Sequence, residues 1–167
     1  MSDDDFDFDD DYDVLLTLAD PAIRQGYQEA LGRFIMAHNE VDYWLSSLLH
    51  KITQSLDLDG GLKQLALGDF AARTAHLLLI MKVHPNLPLG NVGNGRLGAL
   101  NDIRNRVAHG HFDQNDYDGT YRLVKSRRKS LVERFDDIDA LRINEHAEEL
   151  EAIARHMRAL HAFWQFP

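Results

Sequence analysis

The sequence predicts a mainly α-helical fold, an up-down bundle of about four helices with a small β-hairpin before the last helix. Apolar residues recur at steps of three and four over several long stretches, and glycines and prolines separate those stretches. A short apolar stretch with strand character follows an Asp-Gly turn signal ahead of the last helical segment. At 167 residues with 44% hydrophobic content, the chain is long enough for one domain with its own core.

The first helix is predicted to begin at Asp20-Pro21, because aspartate is a favoured N-cap and proline suits the first helical position. From there one apolar seam continues to about Leu56, and a turn follows at residues 57–61. The seam consists of Tyr27, Leu31, Phe34, His38, Val41, Leu45, Leu48 and Ile52.

A second helix is predicted from Asp69 to Val83, ended by Pro85 and Pro88. The residues expected on its inner face are Ala72, Ala75 and Leu79. The glycines of residues 86–95 are interpreted as part of a connector, because no Lys-Ser or Lys-Thr pair follows them as in a phosphate-binding loop.

The third helix is predicted from Arg96 to His109, with Gly110 as its C-terminal cap. Residues 121–124 and 131–135 then predict a two-stranded hairpin whose tip, residues 125–129, is basic. The last helix presents one apolar face, formed by Ala147, Leu150, Ala154, Met157, Leu160 and Trp164.

The charge of the chain is unevenly distributed. Residues 1–13 contain eight aspartates and no basic residue, so the net charge of −9 belongs largely to this segment. Residues 1–19 are therefore predicted to be an acidic, disordered tail, and residues 20–167 the folded domain. The tail is either a solvated terminus or a segment that competes for a basic surface. Such a surface is predicted within residues 96–134, which hold nine basic and five acidic residues.

Several classes of protein are disfavoured by composition. The chain has no cysteine, which removes disulfides, thiolate catalysis and cysteine-based zinc sites. No stretch approaches the roughly 18 apolar residues of a membrane span, and the acidic N-terminus is unlike a signal peptide. A cytoplasmic, non-membrane protein is expected. His109-Gly110-His111 lacks a carboxylate that would complete a metal site, so neither a metal nor another cofactor is expected.

One motif stands out from five occurrences of an arginine and a following histidine that are separated by four to six residues. Arg33/His38 lies within the seam of the first helix, where His38 is better interpreted as a structural histidine, and Arg155/His161 lies in the last helix without a nearby loop. The remaining pairs are Arg104/His109, Arg104/His111 and Arg106/His111. They occur where the third helix ends, and Arg104/His109 is taken as the candidate functional pair.

The stretch Leu100 to His111, with Arg104-Asn105-Arg106-Val107-Ala108-His109 at its centre, is similar to the signature helix of HEPN domains. Residues 34–49, with Trp44, resemble the first helix of related bacterial members. The resemblance implies a helical, commonly dimeric protein, and many members are toxins or antiviral ribonucleases. It also implies that Arg104 and His109 are the catalytic pair, with Asn105 beside them, and that cleavage leaves a 2′,3′-cyclic phosphate.

Some HEPN toxins carry a tyrosine two residues after the motif histidine, where a nucleotidyltransferase antitoxin attaches AMP. This sequence has His111 at that position, so silencing by that route is not expected. An antitoxin or inhibitor protein of another kind remains an open partner.

Helical geometry gives a separate reason to consider this stretch. At about 100° per residue, Leu100, Ile103 and Val107 share one face and are expected to pack on the core. The opposite side is predicted to point away from the core and carries Asn101, Asn105 and His109, with Arg104 and Ala108 beside them. A small residue on a polar face lets a second helix approach, so a homodimer that joins two such sites is predicted.

The chemistry predicted from these residues is metal-independent cleavage of RNA. RNA supplies its own 2′-OH nucleophile, a histidine can transfer protons near pH 7, and an arginine can hold a phosphate. Residues expected to contact the RNA backbone are Arg106, His111, Lys125, Arg127, Arg128 and Lys129. Two alternatives stay open: a non-catalytic HEPN module that binds protein or nucleic acid, and a structural dimer in which Arg104 satisfies helix-end carbonyls.

Overall fold

The computed structural model is mainly helical, and the predicted helical bundle with a hairpin before the last helix is confirmed. It describes residues 20–55, 66–84, 86, 95–115, 118–126, 132–135 and 138–165. The helices are α1 (Pro21–Ser55), α2 (Phe70–Val83), α3 (Arg96–His109) and α4 (Ala140–Phe163). The predicted acidic tail, the glycine-containing connector at 87–94 and the hairpin tip at 127–129 lie outside the described residues.

Helix α1 forms the centre of the bundle. Its N-terminus is capped as predicted, since the Asp20 carboxylate accepts a hydrogen bond from the Ala22 amide at 2.9 Å. Every residue of the predicted seam is buried except Leu31, which is partly buried against the core. The 3.6-residue period therefore identified the inner face correctly.

The inner face of α2 differs from the prediction. Its buried residues are Phe70, Thr74 and Leu77, whereas Ala75 is exposed and Leu79 is 59% exposed. The prediction was wrong because the polar residues of α2 are spread around the helix among the apolar ones, so its sequence contains no contrast that marks one face. The predicted N-cap is present, with the Asp69 carboxylate accepting from the Ala72 amide at 2.8 Å.

Helices α1 and α4 lie side by side and run in the same direction. The Tyr27 hydroxyl donates to the Ile138 carbonyl just before α4 at 2.6 Å. Further along, Arg33 binds Glu151 through two hydrogen bonds of 2.8 and 3.0 Å. The buried face of α4 includes four of its predicted residues, Ala147, Leu150, Ala154 and Met157.

The strands form a three-stranded antiparallel sheet in the order β1-β2-β3: β1 (His111–Gln114), β2 (Tyr121–Ser126) and β3 (Val132–Phe135). The β2–β3 pair is the predicted hairpin. Strand β1 was not predicted, because it is four residues long and Phe112 is its single apolar residue. Phe112 lies opposite Leu123 of β2 in the sheet register.

Gly110 joins α3 directly to the sheet. It is the C-cap of α3 as predicted, and its amide donates to the Arg106 carbonyl at 2.7 Å. Its φ of −92° does not itself require glycine. A Cβ at this position would instead clash with Leu123 Cδ1 and lie 2.7 Å from the Arg106 carbonyl oxygen, so close packing is what favours glycine.

Candidate functional site

Arg104, Asn105 and His109 all lie on the last two turns of α3. The Arg104 guanidinium donates a 3.2 Å hydrogen bond from Nη1 to Asn105 Oδ1. His109 follows Asn105 by one helical turn and is exposed, as is Ala108 beside it. The fold therefore brings Arg104 and Asn105 into contact and leaves the imidazole open to solvent at the end of the helix.

The inner side of this site is formed by His38 of α1. His38 is 4% exposed, and its ring lies 4.5 Å from the Phe70 ring, centroid to centroid. Burial lowers the pKa of His38, the nearby Arg104 guanidinium lowers it further, and Asp42 and a hydrogen bond with Asn101 oppose the shift. The neutral imidazole is therefore the form that this environment favours.

The position of His38 corrects the predicted orientation of α3. Asn101 was expected to point away from the core, but it is half-buried and lies close enough to the buried His38 ring to raise its pKa. Arg104 is also half-buried, with its Nε atom out of contact with water. The prediction for the core face is confirmed, since Leu100 is buried and Ile103 and Val107 pack partly buried against the core.

Two buried nitrogen atoms at this junction have no hydrogen-bond partner within the described part of the chain: His38 Nε2 and Arg104 Nε. A buried polar atom left unpaired costs about 1–3 kcal/mol. Their occurrence on neighbouring side chains of α1 and α3 means that the described residues leave the inner end of the Arg104 side chain incompletely satisfied.

An ion pair continues this polar cluster between α1 and α2. Arg73 hydrogen-bonds both Asp42 and Ser46, and its side chain is 13% exposed. Asp42 also acts on His38 and raises its pKa. A polar layer thus runs from α2 across α1 to the Arg104 side of α3.

His38 was predicted to be structural, but its position beside Arg104 was not predicted. A signal was present, since His38 is the polar member of an otherwise mostly apolar seam and must meet polar groups when buried. Asn101 and Arg104, on one side of α3, are groups of that kind.

The predicted RNA-binding residues are only partly described. Arg106 is half-buried and His111 is exposed on β1. Lys125 lies on β2 opposite Glu133 of β3 in the register, while Arg127, Arg128 and Lys129 are outside the described residues. Among the residues that the structure describes, no group of three histidine or acidic side chains is arranged to hold a metal ion.

Comparisons of the chain with models of protein families, with curated proteins and with solved structures give no match. None of the helices in the described part of the chain is both long enough and apolar enough to cross a membrane.

Proposed function

We propose that this chain is a metal-independent endoribonuclease of the HEPN type, acting at a composite site in a homodimer. The observation that carries the proposal is the Arg104–Asn105 contact one turn before the exposed His109. A phosphate-binding cation, an amide and a proton-transferring imidazole are thereby grouped at one end of a helix.

In the proposed reaction, His109 of one subunit removes the proton from a ribose 2′-OH. The 2′ oxygen attacks the adjacent phosphorus, a new P–O2′ bond forms and the P–O5′ bond breaks. The His109 of the partner subunit protonates the leaving 5′ oxygen, while Arg104 stabilises the charge that develops on the phosphate. The products are a 2′,3′-cyclic phosphate and a 5′-OH.

The outer face of α2 supports a dimer. Two large apolar side chains of α2, Leu79 and Val83, lie one helical turn apart and are 59% and 66% exposed. Neighbouring apolar side chains on a surface are typical of a contact with another protein. α2 packs against α3, which carries Arg104, Asn105 and His109. A second copy of the chain that covers α2 would therefore lie near α3, so that the α3 helices of the two subunits are close together.

A non-catalytic module is the second candidate, and one observation favours it. Arg104 is held partly inside the subunit between Asn105 and His38, an environment that also suits an arginine with a structural role. Under this alternative the same surface binds RNA or protein, such as an antitoxin or inhibitor, without cutting RNA.

The experiment that separates these candidates uses purified full-length chain, stripped of metal and assayed in EDTA. Single-stranded RNA should be cut and DNA of the same sequence should not, because only RNA carries the internal nucleophile. Fragments should end in cyclic or 2′/3′-phosphate and begin with 5′-OH, and 2′-O-methyl at the cut position should block the reaction. A need for added metal, or 5′-phosphate ends, contradicts the proposed mechanism.

A further inference from the structure

A cleft of about 300 Å³ lies between the beginning of α1 and the sheet. Its lining residues are Arg24, Tyr27, Gln28, Leu31, Phe112 and Tyr121. It is separate from the Arg104–His38 junction, and none of its residues has a role in the reaction proposed above. Its volume is at the lower end of the range typical of small-molecule sites, about 300–1,000 Å³.

The aromatic walls of the cleft are fixed in place. Tyr27 donates from its hydroxyl to the Ile138 carbonyl at 2.6 Å and is also within 3.1 Å of the Tyr121 carbonyl. Tyr121 donates in turn to Gln114 Oε1 at 3.0 Å. The Tyr27 ring centroid lies 4.9 Å from that of Tyr121 and 6.2 Å from that of Phe112. The cleft therefore presents preformed aromatic surface rather than mobile side chains.

Polar groups occur at the α1 side of the cleft. Arg24 and Gln28 are both exposed and one helical turn apart on α1, and among the lining residues that the structure describes, Arg24 carries a full charge at neutral pH. An exposed arginine attracts an anion, and the glutamine amide both donates and accepts hydrogen bonds. A planar ring with a polar edge and an attached negative charge matches this combination, and a nucleotide has these properties.

One wall of the cleft follows directly after the end of α3 in the sequence, because Phe112 is a lining residue and α3 ends at His109. Phe112 follows His109 by three residues, so their Cα atoms are at most about 11 Å apart. The join between them is fixed, because Gly110 packs directly against Leu123. A base held in the cleft therefore belongs to a nucleotide close to the exposed His109.

We propose that this cleft binds one base of an RNA strand next to the cleaved phosphate, with the base on Phe112 and Tyr121 and Arg24 on a neighbouring phosphate. That the bound strand is RNA rests on the proposed function, whereas binding of a single nucleotide in the cleft does not. The cleft would then determine which base is accepted beside the cut.

Binding is tested by titrating the full-length protein with AMP, GMP, CMP and UMP in metal-free buffer, followed by NMR. Signals of Phe112 and Tyr121 should shift with at least one nucleotide, and ribose 5-phosphate should bind at least tenfold more weakly. Arg24→Gln and Phe112→Leu should each weaken nucleotide binding about tenfold, the scale of one charged contact or one stacked base. Arg155→Gln, which removes an exposed charge on α4, is the matched control and should leave binding unchanged.

The outcomes separate this inference from the proposed function. If no nucleotide shifts these signals at about 10 mM, or if ribose 5-phosphate binds equally well, the base site is overturned. Where the wild type cuts RNA, the base site is also overturned if Arg24→Gln and Phe112→Leu cut at the same positions and rates as wild type. Nucleotide binding by a chain that cuts no RNA would support the cleft and contradict the nuclease proposal. Arg24 is exposed, so Arg24→Gln stays informative even if Phe112→Leu fails to fold.

Discussion

His38 of α1 and Arg104 of α3 lie near each other across the helix interface, each with a buried nitrogen that has no hydrogen-bond partner among the described residues. Burial lowers the pKa of His38, and the Arg104 guanidinium lowers it further. Protonation of His38 would place a second positive charge beside Arg104 inside the fold. The protonation state of His38 is therefore linked to the position of Arg104 in the proposed site.

Acidification should destabilise the protein through His38. Its pKa is below 6.5 in the folded state and close to 6.5 in the unfolded state, so the unfolded state binds more protons as the pH falls through that range. The free energy of unfolding should therefore fall between pH 7 and pH 5. Urea unfolding at both pH values checks this, and His38→Gln should show a weaker pH dependence.

His50→Gln is the matched control for this measurement, because His50 lies on the same helix and is exposed. Its pH dependence should equal that of wild type. His146 also has a lowered pKa, caused by burial and then by Arg96, so His38→Gln should reduce the dependence without abolishing it. An identical pH dependence in wild type and His38→Gln contradicts the role assigned to His38.

Gly110→Ala should destabilise the fold by about 1–3 kcal/mol, the usual cost of overpacking a filled site. The added methyl meets Leu123, which is fully buried, and the backbone carbonyl of Arg106. Gly98→Ala is the control, because nothing lies within 4 Å of its added Cβ and alanine is favoured within a helix. Urea unfolding measures both, and equal stabilities of Gly110→Ala and wild type would show that the α3–β1 join is not tightly packed.

The elements predicted best from the sequence were those with a strong contrast between polar and apolar positions. Asp20-Pro21 marked the start of α1 and the seam from Tyr27 to Ile52 marked its buried face. The inner face of α2 was predicted wrongly, because its polar and apolar residues are mixed around the helix and give no such contrast. Strand β1 was not predicted, because its single apolar residue, Phe112, packs against Tyr27 of α1, which is distant in sequence.

The position of the candidate site on α3 could be predicted from the sequence, but the residues that surround it could not. The end of α3 at His109, the cap at Gly110 and the core face at Leu100 could all be inferred from local pattern. Arg104 and His38 lie near each other although they are 66 positions apart, and a single sequence does not specify how α1 and α3 are rotated toward each other. The cleft between α1 and the sheet could not be predicted for the same reason, since its walls come from α1, β1 and β2.

The wild-type chain should sediment as a dimer at micromolar concentration, at about twice its 19.1 kDa mass. Leu79→Lys combined with Val83→Lys should shift it toward monomer, because two charges would lie on the apolar outer face of α2. Both positions are exposed, so the subunit should stay folded. Leu141→Lys on α4, where Leu141 is 69% exposed, is the control. A wild-type monomer at every concentration would remove the composite site.

The hairpin tip should contribute charge to RNA binding. Replacing Lys125, Arg127, Arg128 and Lys129 with glutamine should weaken binding and reduce the salt slope by up to about 3, if each cation contacts one phosphate of a single strand. A variant with four exposed basic residues replaced elsewhere, Lys82, Arg142, Arg155 and Arg158, is matched in net charge. Equal slopes for the two variants would mean that the tip has no special role in RNA binding.

His109→Ala and Arg104→Ala should each lower RNA cleavage at least about 100-fold, the lower end of what proton transfer contributes. Arg104→Lys should rescue little, because a lysine keeps the charge but cannot hold a phosphate through two parallel hydrogen bonds. His109 is exposed, so His109→Ala should unfold at the wild-type urea concentration. Single-turnover cleavage of a labelled RNA in EDTA measures the rates, and circular dichroism measures the folds.

The controls for this prediction are Arg155→Ala and His50→Ala, which remove the same residue types from exposed positions on α4 and α1. Both should cut RNA at the wild-type rate. Loss of cleavage in Arg104→Ala together with loss of structure would favour a structural role for Arg104 beside His38. Normal cleavage by His109→Ala, in a chain that wild-type assays show to be a nuclease, would mean that the reaction takes place elsewhere on the molecule.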